Sequence, residues 1–235
     1  MQQIFEFPVT PSYTFDSFVA CDGNDAAVQF ARRVINPLDS DNLLYVHGPS
    51  GSGKTHLLKA IGHVLAHENS IVPYFSCSET MTVELLCAAC AGGPALVVDD
   101  LHLLPDFAAL RAALWQLFND YYSAGLPVVL AGKYPPRELP YLDDHLVSRL
   151  LWGLVARIDT SDDNSRSMIL KKIADDRQVR VPDDVVDYIL VTTSREVGEL
   201  IRMFEAIYRL SLMEKRKITL PLAREARNRT LRGAL

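Results

Sequence analysis

The chain has 235 residues, enough for one large domain or for a core domain with a smaller partner. Its composition, 49% apolar and 23% charged, is that of a soluble globular protein, and no apolar run approaches the ~20 residues of a membrane span. A net charge of −5 argues against a protein whose main business is coating nucleic acid.

From the amino terminus, Met1-Gln2-Gln3-Ile4-Phe5-Glu6 lacks the basic segment of a secretory signal, and a cytoplasmic protein is expected. Leu43-Leu44-Tyr45-Val46 reads as a buried strand, and Leu57, Leu58, Ile61 and Leu65 are spaced like one face of a helix. Between them, Gly48-Pro49-Ser50-Gly51-Ser52-Gly53-Lys54-Thr55 is a complete phosphate-binding P-loop. Small residues let the backbone curl so that successive N–H groups meet phosphate oxygens at the positive end of the helix. Lys54 is expected to reach the β- and γ-phosphates, and the Thr55 hydroxyl to bind Mg²⁺.

Val72–Ser76 reads as the next strand, followed by a helix around Glu79–Cys90 that ends at Gly92-Gly93-Pro94. Cys87 and Cys90 form a lone C-x-x-C, which His63 and His67 would have to complete into a zinc site; buried thiols in an Ala-rich helix are the simpler reading. All four cysteines suit a reducing compartment, and the only metal expected is Mg²⁺ brought with nucleotide. The fully apolar Ala95-Leu96-Val97-Val98 is typical of the middle of a parallel sheet. Its carboxyl end carries Asp99 and Asp100, beside the P-loop in such a sheet. There Asp99 would hold Mg²⁺, directly or through water, and Asp100 would orient an attacking water. The plain alternative is a strand-ending turn with a capping Asp.

Phe107–Tyr122 has helical spacing, Val128–Ala131 and Leu154–Ile158 are further strands, and Arg149 lies between these two. A guanidinium that cannot deprotonate suits the charge of a transferring phosphoryl group, including one held by a neighbouring molecule; a surface ion pair is the alternative. The alternation implies an α/β domain of three layers with a parallel sheet over residues 1–159. From residue 160 to 235 the strands stop, and apolar spacing suggests three helices and a short last one after Ile218-Thr219-Leu220-Pro221, a small helical domain. Residues 1–159 hold nine basic and 17 acidic side chains, residues 160–235 hold 15 and 12. The seven basic residues of Lys215–Arg232 are either a phosphate- or acid-binding tail or a solvated helix face.

Taken together these residues resemble the ATPase region of the bacterial replication initiator DnaA, an AAA+ protein, over nearly the whole chain. Tyr13-Thr14-Phe15-Asp16-Ser17-Phe18-Val19 with Asn24 is similar to the segment that frames adenine in that family, which implies a nucleotide contact at Val19. Gly53–Gly62, with His56, is similar to the family's P-loop and helix, Asp99-Asp100-Leu101-His102 to its aspartate pair, and Ser148-Arg149-Leu150-Leu151-Trp152-Gly153-Leu154 to its arginine-finger box. The implied fold is an AAA+ P-loop domain with a helical lid, and the implied cofactors are ATP or ADP with Mg²⁺.

Only 14 residues follow Pro221, where the initiators carry a helix-turn-helix domain, and the segment between Leu103 and Ala113 has a single basic residue, Arg111. Direct DNA binding is therefore expected to be weak or absent. The pattern resembles the short Hda-type members. These dock on the sliding clamp and promote hydrolysis of DnaA-bound ATP, which implies DnaA and the clamp as partners, Arg149 at the contact with DnaA's ATP, and self-association as a further option. Gln2-Gln3-Ile4-Phe5-Glu6-Phe7-Pro8 is a degenerate match to the clamp-docking peptide; a loosely packed tail is the other reading.

Two departures weigh against hydrolysis by the chain itself. Lys133 stands where the family has an Asp, and Gly198 where its lid arginine belongs; Arg195 or Arg202, each about one turn away, is the possible substitute. Nucleotide binding with slow intrinsic turnover is expected. The competing readings are an AAA+ ATPase or loader that uses hydrolysis, and a DNA-binding replication initiation protein.

Overall fold

The apolar runs become the strands β1 (Leu43–His47), β2 (Tyr74–Ser76), β3 (Leu96–Asp99), β4 (Val128–Gly132) and β5 (Leu154–Arg157) of one sheet in a computed structural model that describes residues 13–66, 72–90 and 92–231. The strands pair in parallel in the order β2-β3-β4-β1-β5. Alternate residues point to opposite faces, so an unbroken apolar run feeds two cores. Leu43, Tyr45, Leu96, Val98, Val128 and Leu130 pack with α3 (Val83–Cys90), α4 (Ala108–Ser123) and α5 (Asp144–Leu150). Leu44, Val46, Val97, Val129, Ala131 and Ala156 pack with α1 (Asp25–Ile35) and α2 (Lys54–Leu65). These are the three layers expected of a buried parallel sheet.

Beyond β5 the chain turns into α6 (Asp163–Asp176), α7 (Asp183–Thr192), α8 (Val197–Glu214) and α9 (Leu220–Leu231), which enclose a third core built on Leu170, Val186, Ile189, Phe204 and Leu222. The buried Arg166 organises it: its guanidinium donates to Leu190 O (3.1 Å), Thr193 Oγ1 (2.8 Å) and Ser194 O (2.8 Å) and meets Asp163 Oδ1 (3.1 Å). These bonds satisfy the carboxyl end of α7 and fix the turn into α8. No described helix is long and apolar enough to cross a membrane.

Local differences from the sequence pattern have physical reasons. The expected helix at 79–90 starts at Val83, because residues 79 and 80 form a turn. Pro221 does not break the chain ahead of α9 but is its second residue, where its missing N–H would have no helical acceptor. α1 and α5 are additional helices. Arg216 and Arg229 pair with Glu214 and Glu225 (2.5–3.1 Å), so part of the basic stretch after Lys215 is tied into the lid.

Cys90 is buried, with its thiol pushed up to about 11 by burial, whereas Cys87 is exposed. No group of three or more His, Cys, Asp or Glu side chains converges as a metal site among the described residues. His67 and the Gln2–Pro8 peptide lie outside them.

Candidate functional site

β1 runs straight into the loop of residues 48–53, whose path depends on two glycines. A Cβ on Gly48 (φ +152°) would lie 1.9 Å from the Ile158 carbonyl oxygen, and Gly51 holds the left-handed φ of +73°. Gly53 ends the loop at α2, and the first-turn N–H groups of that helix have no intrahelical acceptors. Within this frame Lys54 curls back, its Nζ donating to Gly48 O (2.9 Å) and Pro49 O (2.7 Å). Burial lowers the Lys54 ammonium from its usual value; Asp99 and Asp100 oppose that fall and the Lys133 charge adds to it. An anion in the loop would restore the charged form.

β4 stands between β1 and β3, yet the side chains bridge it. Thr55 Oγ1 donates to Asp99 Oδ2 (2.6 Å), and Tyr74 OH donates to the same oxygen (2.7 Å). Asp99 Oδ1 accepts from the Asp100 N–H (2.8 Å), and Asp100, at a left-handed φ of 54°, accepts from Ser76 Oγ (2.9 Å). Asp99 is fully buried and therefore depends on these donors. Thr55 and Asp99 are the pair that could hold a divalent cation, and Asp100 turns its backbone away from the strand beside them. Tyr74 and Ser76 were not singled out by the sequence; their signal is a strand ending in hydroxyl-bearing residues one position away from the Asp99 strand. Burial, with the Asp99 hydrogen bond, pushes the Tyr74 phenol up.

On the other side of α2, His56 meets the segment that precedes α1. Its Nε2 is 3.1 Å from Ser17 Oγ and 3.2 Å from Thr14 O, and the Tyr13 and Phe18 rings lie edge-on at 5.3 and 5.2 Å. Burial lowers the His56 imidazole from its usual value. The half-buried Val19 is fixed through Asn24, whose Nδ2 donates to Val19 O (2.8 Å) while its Oδ1 accepts from the Cys21 N–H (2.9 Å).

A cleft of about 260 Å³ separates the loop from the lid, lined among others by Pro49, Ser50, Ser52, Lys133, Thr160 and Arg195. Lys133 emerges from β4 opposite the loop, with no carboxylate partner among the described residues. Its strand end is pinned by Tyr45, whose OH donates to Tyr134 O (2.6 Å). Arg195 is engaged by Ser161 O (2.8 Å) and Asp163 (3.0 Å), and Arg202 by Glu199 (2.6 Å), so both lid arginines are occupied at the surface. Gly198 presents no side chain to the cleft.

Arg149 is not among the residues that line this cleft. It sits on α5 with its guanidinium 4.1 Å above the ring of the exposed Trp152 and 5.6 Å from that of Trp115 on α4. The structure thus gathers the loop, Lys54, Thr55, Asp99 and Asp100, and leaves Arg149 on an outer face.

The family model described as bacterial DnaA ATPase domain matches residues 9–157, and the one described as the lid domain of Hda matches residues 163–226. The chain is similar to the chromosomal replication initiator protein DnaA of Symbiobacterium thermophilum, 32% identical over 231 residues that cover 93% of this chain and 50% of the relative. The chain spans about half the length of the curated relatives it matches. Its fold is that of domain III of the Thermotoga maritima DnaA protein (TM-score 0.77, 23% identity, 93% of this chain and 97% of that one). It is also that of AMPPCP-bound DnaA from Aquifex aeolicus (TM-score 0.75, 23% identity, 95% and 71%).

Proposed function

Because the chain belongs to the family of bacterial DnaA ATPase domains, we propose that it is a nucleotide-binding regulator of replication initiation. In this reading residues 1–159 form the AAA+ nucleotide-binding domain and residues 160–235 its lid. ATP or ADP occupies the cleft, with Val19 and His56 on the base side and residues 48–55 around the phosphates. Thr55 and Asp99 hold Mg²⁺. The observation that carries the reading is the complete P-loop with its threonine already hydrogen-bonded to a buried aspartate (2.6 Å) in a DnaA-type domain joined to an Hda-type lid. The AMPPCP bound by the Aquifex relative supports a nucleoside triphosphate as ligand.

The proposed activity is to promote hydrolysis of DnaA-bound ATP together with the DNA-loaded sliding clamp. Arg149, half-buried against Trp152 and outside its own cleft, supplies positive charge to that ATP. Asp100 remains the residue placed to orient water in the chain's own site. With Lys133 and Gly198 at the two positions that usually attend the terminal phosphate, that site holds nucleotide and turns it over slowly.

The test is ATP hydrolysis by DnaA in the presence of DNA-loaded clamp, comparing the wild-type chain with Arg149→Ala. Stimulation that disappears in the variant is the expected result. No stimulation by the wild-type chain would overturn the regulatory reading and leave the family assignment standing.

A further inference from the structure

The lid brings the start of a helix against the P-loop. A Cβ placed on Gly51 would lie 3.5 Å from the backbone nitrogen of Gly198 and 3.7 Å from that of Val197, the first two residues of the 18-residue α8. The Glu196 side chain before them makes no capping hydrogen bond, and the N–H groups of Val197 and Gly198 have no acceptor among the described residues. An uncapped helix start carries about half a positive charge and donors that point along its axis. Its position is set by buried chemistry, because Arg166 holds the Ser194 carbonyl (2.8 Å) two residues before Glu196.

A separate feature of the same cleft also asks for a ligand. Ser52 is only 6% exposed, lines the cleft, and its Oγ is buried with no hydrogen-bond partner among the described residues. A buried hydroxyl left unpaired destabilises the fold, and a polar group entering the cleft would relieve that cost. Across from it stands the Lys133 ammonium, over the Tyr134 ring (5.5 Å) and without a carboxylate partner among the described residues. Donors from the loop, the sheet and the lid therefore surround one space, and the two arginines that could reach in from the lid are tied to Asp163 and Glu199.

We propose that the lid grips the phosphates of the bound nucleotide through the main-chain N–H groups of Val197 and Gly198, doing with the start of α8 what a side chain at position 198 cannot do. The proposal rests on the nucleotide reading above and specifies how the lid takes part in it. Two helix starts, α2 from the sheet and α8 from the lid, then face the same anion, and nucleotide is the bridge that joins the two halves of the molecule.

The proposal can be tested by removing one N–H without removing the helix. Val197 is the first helical residue, where proline is accepted, and Glu196 already has the extended backbone (φ −76°, ψ 126°) that a following proline requires. Val197→Pro in the full chain is expected to keep the nucleotide-free melting temperature and to bind ATP, measured by calorimetry, about tenfold more weakly, as befits one lost hydrogen bond to a charged group. Val197→Ala, which trims the side chain and keeps the N–H, is expected to lose less than threefold. Equal affinities for the proline and alanine variants, with Lys54→Ala still weakening binding roughly 100-fold, would overturn this proposal alone. Failure of the wild-type chain to bind ATP or ADP would overturn it together with the nucleotide reading. A measurement that needs no variant is the amide proton spectrum of the wild type. The Val197 and Gly198 resonances should move downfield on adding ATP, and unmoved resonances would overturn the proposal.

Discussion

The two walls of the cleft are built on different principles. The sheet wall is prepared: Lys54 is held by the carbonyls of Gly48 and Pro49, and Thr55 and Tyr74 by Asp99, through hydrogen bonds of 2.6–2.9 Å, with Asp99 fully buried beneath them. The lid wall offers a helix start without a cap, a glycine, and two arginines engaged elsewhere. Phosphate binding by a P-loop draws mainly on backbone donors and one lysine, all on the sheet wall. The contacts that assist a transferring phosphoryl group come from both walls, and in the proposed reading that is where Lys133 and Gly198 depart, so that the site keeps its ligand with fewer groups to act on it.

Variants can break or sharpen this contrast. The largest effect is expected at Arg166→Ala, which leaves the carbonyls of Leu190 and Ser194 without their donor and a cavity beneath α7 and α8. A loss of about 3 kcal/mol in stability, with a separate early unfolding step of the lid in urea, would show that the lid wall owes its shape to this one side chain. Lys54→Ala should weaken ATP and ADP binding roughly 100-fold while leaving the lid folded; calorimetry and circular dichroism together would check both halves of that statement. Gly198→Arg returns a guanidinium to the lid. A Cβ there meets only Arg202 Nη1, at an ordinary 3.7 Å, so the variant should fold and bind ATP about fivefold more tightly, about 1 kcal/mol. An unchanged affinity would mean that the lid wall stands too far from the phosphates to matter.

The smallest effect is expected from pH. Burial lowers the imidazoles of His47, His56 and His102 from their usual value, all three on the sheet side, whereas residues 160–235 contain no histidine. A lowered native value means that the unfolded chain binds protons first as pH falls below about 6.5. The stabilisation is complete above that pH and declines below it. The urea midpoint should fall between pH 7 and pH 5.5, and His56→Gln should flatten the curve. A lid that melts with the same pH dependence as the sheet would show that the two unfold as one.

Legibility followed the length of the local signal. The P-loop is eight contiguous residues between a strand and a helix, and Asp99-Asp100 follow an apolar strand directly, so both can be found without tertiary information. α1 carries a usable signal in Ala27, Val28, Ala31 and Val34, buried on one face. α5 has only seven residues, too few for a period to emerge. Tyr74 and Ser76 matter because β2 pairs with β3, and the register that sets Ser76 beside Asp99 is a property of the sheet. Arg149 is prominent within its sequence box, but its stack on Trp115 and Trp152 brings together residues 34 positions apart in one case and three in the other.

By itself the sequence determined the alternation of strands and helices, the P-loop, the acidic strand end and the change to an all-helical segment after residue 159, because each is written in neighbouring residues through periodicity or fixed spacing. Only the tertiary structure decided the strand order, which sets β4 between β1, which leads into the loop, and β3, which carries Asp99. It also brought the start of α8 against Gly51, a contact between residues nearly 150 positions apart. Such contacts depend on how whole elements pack, and no local pattern encodes which helix start will face which loop.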